Sequence, residues 1–149
     1  MYEIDMSTLM LIGQEDGTTK VITKNGNFIV PDSAKNIIDH SCRYFGSSLD
    51  ERVKATIRLV KMNTKTPILI EESRNIIFFP LRSVREKNNI WISFNNIDKY
   101  TKSGANTIFK FKCSKKVTIK FSYYIVDNQV TRSLILDYEM QNRRKSLEK

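Results

Sequence analysis

Apolar positions in this chain come in short bursts at strand spacing, separated by three longer stretches where helical spacing fits. Thr8–Ile12 reads as a strand, and Thr18–Thr23 as its partner across a Glu15-Asp16-Gly17 turn. Asn25-Gly26 predicts a second turn of the same kind, leading into a strand over Asn27–Val30. The front of the chain is thus an antiparallel meander. Asp32 or Ser33 can cap a helix that runs to about Phe45 and turns Ile37 and Ile38 inward, and Gly46 stops it. Ser48-Leu49-Asp50-Glu51 is a capping box that opens a second helix. Its end keeps two readings, because Leu49, Val53, Ile57 and Val60 fit a helical stripe while Ala55–Met62 also alternates.

Strands follow at Pro67–Ile70, Asn75–Phe79, Ile90–Phe94, Thr107–Cys113 and Val117–Phe121. Tyr100–Asn106 reads as a Ser/Gly/Thr loop. Val126–Asn142 predicts a last helix, with a strand reading kept for Leu134–Met140. The expected fold class is α+β: an antiparallel sheet, with barrel-like closure as an option, two helices inserted after the N-terminal meander, and a C-terminal helix. The length of 149 residues suits one domain, residues 1–149.

Charge changes this picture. Residues 1–51 hold 4 Lys/Arg against 8 Asp/Glu; residues 52–149 hold 21 against 8. Clustered cations repel one another until a polyanion neutralises them. Nucleic acid is the leading candidate, anionic membrane comes second, and a basic solubilising surface is the bland alternative.

The sharpest signal is the segment 107–121. Phe109, Phe111 and Cys113 point to one face, as do Val117, Ile119 and Phe121; Lys110, Lys112, Thr118 and Lys120 point to the other. A three-residue loop, Ser114-Lys115-Lys116, pairs Phe111 with Ile119 and sets Lys110 opposite Lys120. With Lys115 and Lys116 at the tip, the outer face holds five lysines and no acid. The bland reading is a solvated sheet face on which lysines ward off edge pairing. Another basic segment is the loop Leu81–Asn89, with Arg82, Arg85 and Lys87 against Glu86.

Catalytic signals are weak. His40 and Cys42 lie two apart on a helix and so point about 200° from each other. Glu71 and Glu72 are adjacent and project oppositely on a strand, and there is no P-loop, GxGxxG or HExxH. No metal spacing involves Cys42 and Cys113; one disulfide is an alternative, and two buried thiols of a reducing cytosol are the preferred reading. Trp91 could stack bases, but a buried tryptophan is the commoner use, and Tyr123-Tyr124 reads as helix-entry packing. No stretch approaches the about 20 apolar residues of a membrane span, and the acids Glu3 and Asp5 stand where a signal peptide carries positive charge. The reading is a cytoplasmic, nucleoid-associated protein that is not an enzyme and needs no metal or other cofactor.

Asp39-His40-Ser41-Cys42-Arg43-Tyr44-Phe45-Gly46-Ser47-Ser48 resembles the signature stretch of the ComK family, the competence transcription factors of Gram-positive bacteria. The likeness continues through Lys65-Thr66-Pro67-Ile68, Phe78-Phe79-Pro80, Trp91-Ile92-Ser93 and Asn128-Gln129-Val130, over roughly residues 38–143. The resemblance implies an activator of DNA-uptake genes that binds paired A/T-rich boxes of double-stranded DNA, mainly from the minor groove, as a homodimer or higher oligomer. RNA polymerase is a further candidate partner. Family members carry a longer tail through which an adaptor and a protease control them; this chain stops soon after the expected last helix, which leaves that control an open expectation.

The contact residues come from charge alone. Lys110, Lys112, Lys115, Lys116 and Lys120 are expected on phosphates, and Arg82 and Arg85 in a minor groove. Arg43 is expected either on DNA or in an ion pair with Asp39, four residues before it. The competing reading is a β-rich interaction module for acidic protein or anionic lipid.

Overall fold

A computed structural model gives the structure of the chain and describes residues 1–148. Its elements are β1 (Thr8–Gly13), β2 (Thr19–Thr23), β3 (Gly26–Val30), α1 (Ala34–Tyr44), α2 (Leu49–Val60), β4 (Ile68–Glu71), β5 (Ile76–Pro80), β6 (Ile90–Ser93), β7 (Ile97–Ser103), β8 (Asn106–Phe111), β9 (Lys116–Ile119) and α3 (Tyr123–Leu147). The fold is α+β, and every strand pair is antiparallel. Neither sheet closes into a barrel. A six-stranded sheet runs β3-β2-β1-β6-β5-β4, and a three-stranded sheet runs β7-β8-β9.

Local chemistry sets the helices. Ser33 Oγ accepts the Asn36 N–H and caps α1, and Gly46 ends the α1–α2 corner at φ 89°. Ser48 Oγ accepts the Glu51 N–H at 3.1 Å, which opens α2. No return bond from the Glu51 side chain occurs among the described residues, so the capping box is half made. The two open readings resolve as helix. α2 continues to Val60, with Lys61 in the left-handed region as its C-cap. α3 starts earlier than expected, at Tyr123 under the cap Ser122, and runs to Leu147. The turn between β2 and β3 is Lys24-Asn25, and Gly26 already belongs to β3.

The largest departure is β7. The stretch Tyr100–Asn106, expected as a loop, supplies most of a seven-residue strand. Its inner face carries little apolar signal, and a bulge between Ile97 and Lys99 breaks the alternation that would reveal it.

The six-stranded sheet is covered on both faces. Leu11, Val21, Phe78 and Trp91 project to one side, against Ile37, Ile38 and Cys42 of α1 and Leu49 of α2. Met10, Ile22, Phe79 and Ile92 project to the other, against Phe109, Phe111 and Ile119 of the small sheet and Val126 of α3. These neighbours alternate along each strand, as a sheet buried on both faces requires. A third cluster seats Leu136 of α3 on Leu69 and Ile77. Trp91 is fully buried on the α1 side, and its indole N–H has no hydrogen-bond partner among the described residues. It is a core residue and offers no base-stacking platform.

Candidate nucleic-acid interface

The small sheet presents its inner side to the core and its outer side to solvent. Tyr100, Phe109 and Val117 lie opposite one another on the inner side. Phe109 and Phe111 stack at 6.0 Å, and the Tyr100 ring lies between Phe109 and Tyr123, its centroid 6.3 and 5.5 Å from theirs. The Tyr100 hydroxyl donates to Asp127 of α3 at 2.7 Å. Burial, then the Asp127 carboxylate, raise the phenol's pKa and keep it protonated. The sheet is therefore held from behind.

The register differs from the expected one. Phe109 pairs with Val117 and Lys110 with Lys116, where the sequence suggests Phe121 and Lys120. The loop is still three residues long but lies at Lys112-Cys113-Ser114. Phe111 N–H donates to Lys115 O, and Ser114 takes φ 75°, the left-handed last position of such loops. Lys112 N–H is captured by Asn96 O, which takes it out of the ladder. The slip is an even number of residues, so each side chain keeps its face.

This register builds a row across all three strands. Lys99 lies opposite Lys110, and Lys110 opposite Lys116. Strands spaced about 4.8 Å apart put these three lysines within about 10 Å of one another at the backbone. Thr101, Ile108 and Thr118 form the parallel row beside them. Lys120, just past β9, is exposed on the same face. Each like-charged pair costs roughly 0.2–1 kcal/mol. Asp98 corrects the expectation of an acid-free face: its carboxylate lies 3.7 Å from Lys110 Nζ, and that exposed ion pair is weak.

The other candidates separate. Lys115 Nζ donates to Thr23 O and Asn27 Oδ1, which fastens the hairpin tip to the first sheet. Lys112 lines an open cleft with Asp98, Asp137 and Arg144. Arg82 stacks its guanidinium 5.4 Å from the Phe121 ring, beside the end of β9. Arg85, in the same loop, lines a hollow with Val53 and Ile57 of α2. Arg43 lies on α1, across the large sheet from the lysines, and pairs with Asp39 at 2.9 Å. The residue that the sequence reading misses is Lys99. Its signal is hidden because the strand carrying it reads as a loop.

Several side chains of the signature stretch hold the α1 region together. Ser41 Oγ accepts the Ile4 N–H at 3.0 Å, and Asp39 accepts the Leu49 N–H at 2.9 Å. Cys42 is buried, and burial raises its pKa to about 12. His40 bonds Glu3 at 2.8 Å instead. A protonated, enclosed thiol is no nucleophile. Cys113 departs from expectation, being exposed. Among the described residues no group of His, Cys, Asp or Glu could hold a metal ion, and no helix is long and apolar enough to cross a membrane.

The small sheet carries a row of lysines on its outer side and aromatic residues on its inner side, and sequence comparison supplies the family. The ComK protein family model matches residues 1–145, and the chain belongs to that family. It is 32% identical over 146 residues to the competence transcription factor of Bacillus subtilis (strain 168), covering 95% of this chain and 76% of that protein. No solved structure matches the chain.

Proposed function

We propose that this protein is a DNA-binding transcriptional activator of competence genes, acting in the cytoplasm on the nucleoid. The outer face of β7–β9 docks on the phosphate backbone of A/T-rich duplex DNA. The observation that carries this reading is the Lys99–Lys110–Lys116 row in a member of the ComK family. Repulsion along that row is relieved when phosphates replace water beside it, so bound DNA removes a cost the free protein bears. Lys120 extends the contact along β9. Arg82 is the arginine best placed to reach an adjacent minor groove, whose narrow A/T form attracts guanidinium. The protein meets paired boxes as a homodimer, and dimers combine into larger assemblies.

The test is fluorescence anisotropy of an A/T-box duplex across a salt series. The logarithm of affinity should fall linearly with the logarithm of salt, with a slope of about −0.9 per phosphate contacted. Lys99→Gln, Lys110→Gln and Lys116→Gln should each reduce that slope by about one contact and weaken binding on every sequence alike. A minor-groove ligand of the distamycin type should compete. Binding that survives the triple substitution with its slope unchanged overturns the assignment. Binding to anionic vesicles with no binding to DNA would instead support the interaction-module reading.

A further inference from the structure

The outward side of α3 carries a pattern that the lysine sheet does not use. Tyr124, Leu134, Ile135 and Tyr138 are 71, 57, 44 and 63% exposed. At 100° per residue they form a stripe facing away from the buried Val126, Gln129, Ser133 and Leu136. A surface helix normally turns polar residues outward; Leu134, Ile135 and Tyr138 form an exposed apolar cluster there, parted from Tyr124 by Asp127, Asn128 and Thr131, and such a cluster marks an interaction surface.

The charges beside the stripe identify the partner. At the same spacing Asp127 and Lys145 share one angle within the stripe, between Leu134 and Tyr138, one toward each end, and Arg132 and Glu139 flank its other side. We propose that α3 pairs antiparallel with α3 of a second copy, about a twofold axis between the levels of Ile135 and Leu136. This rests on the homodimer part of the reading above and names the surface that forms it. In such a pair, edge meets like edge, with the chain direction reversed. Setting Tyr138 against Leu134 brings Asp127 opposite Lys145 toward each end of the seam. To within one residue, the same register brings Arg132 opposite Glu139 along the flanking edge. The twofold repeats both, giving four opposite-charge pairs around an apolar seam. A parallel pair joins only Asp127 with Arg132 and leaves Glu139 against Leu134.

Each group has capacity to spare. Asp127 uses Oδ1 for Tyr100, leaving Oδ2 free of that bond. Arg132 uses only Nη1, on Thr64 O and Gln129 Oε1, of a guanidinium with five N–H donors. Glu139 and Lys145 have no ion-pair partner among the described residues.

The experiment uses the full chain with Cys113→Ser, followed by light scattering and non-reducing electrophoresis. Ile135→Cys should cross-link to itself under mild oxidation. Tyr124→Cys, far from the axis, should not. Ile135→Asp with Tyr138→Asp should give a monomer with unchanged circular dichroism. Glu139→Lys should weaken the dimer several-fold. A dimer that survives the Asp pair, or Ile135→Cys that fails to cross-link within a dimer, overturns the proposed face while leaving the homodimer reading intact. A wild-type chain that stays monomeric both free and on DNA overturns both. So does α3-dependent vesicle binding by a monomer. Loss of DNA binding in lysine variants that remain dimers leaves this inference standing and tests only the DNA surface.

Discussion

Cys42 and Cys113 show how far one side chain's environment sets its chemistry. Both are free thiols, yet one is enclosed between α1 and the large sheet and the other lies on a hairpin loop. A thiol-disulfide reagent such as Ellman's should therefore titrate one thiol in the native protein, at Cys113, and two after unfolding; two fast native thiols would contradict the packing around Cys42. Gly13 makes a sharper steric statement. A Cβ there would lie 2.8 Å from Asn89 N and 3.0 Å from Asn88 Cα, both backbone atoms. Gly13→Ala should cost about 1–3 kcal/mol in urea denaturation, because the β1 end and the loop before β6 are forced apart. An unchanged midpoint would mean that loop yields freely.

Among the elements, α3 does the most to join distant sequence. Gln129 is buried and its Nε2 donates to Lys65 O at 2.8 Å and Pro80 O at 2.6 Å. Three short pieces of the family likeness, around Lys65, Phe79 and Gln129, thus meet at one amide. Gln129→Leu keeps the volume but strips both carbonyls of their donor, so it should destabilise by about 1–3 kcal/mol; a calorimetric Tm equal to the wild type's would refute that. Legibility followed the locality of each signal. Caps such as Ser33 and Ser48 depend on neighbours three residues away and could be read directly. The alternation of Phe109, Phe111, Val117 and Ile119 fixed which face was which. Register could not be read, because it depends on Asn96 holding Lys112, a contact between separate segments. β7 was hidden by its bulge and its polar composition, and Lys99 with it.

For the molecule as a whole, the division of charge becomes a division of layers. The acid-rich front builds three strands of the large sheet and the α1 side of the core, while Lys99, Lys110, Lys116 and Lys120 gather on the small sheet. On the proposed function, their effect is on binding more than on folding. Replacing all four with Gln should leave the melting temperature unchanged or slightly raised in low salt, since it relieves repulsion along the row. A large fall would show that these lysines hold the fold through contacts not evident in their exposure. The layering also provides a built-in gauge. The sole indole of the chain is sealed under α1, with the large sheet between it and the lysines. Its emission should red-shift when the chain unfolds and stay constant as a polyanion is titrated in, so one cuvette can separate a variant that has lost its grip from one that has lost its shape.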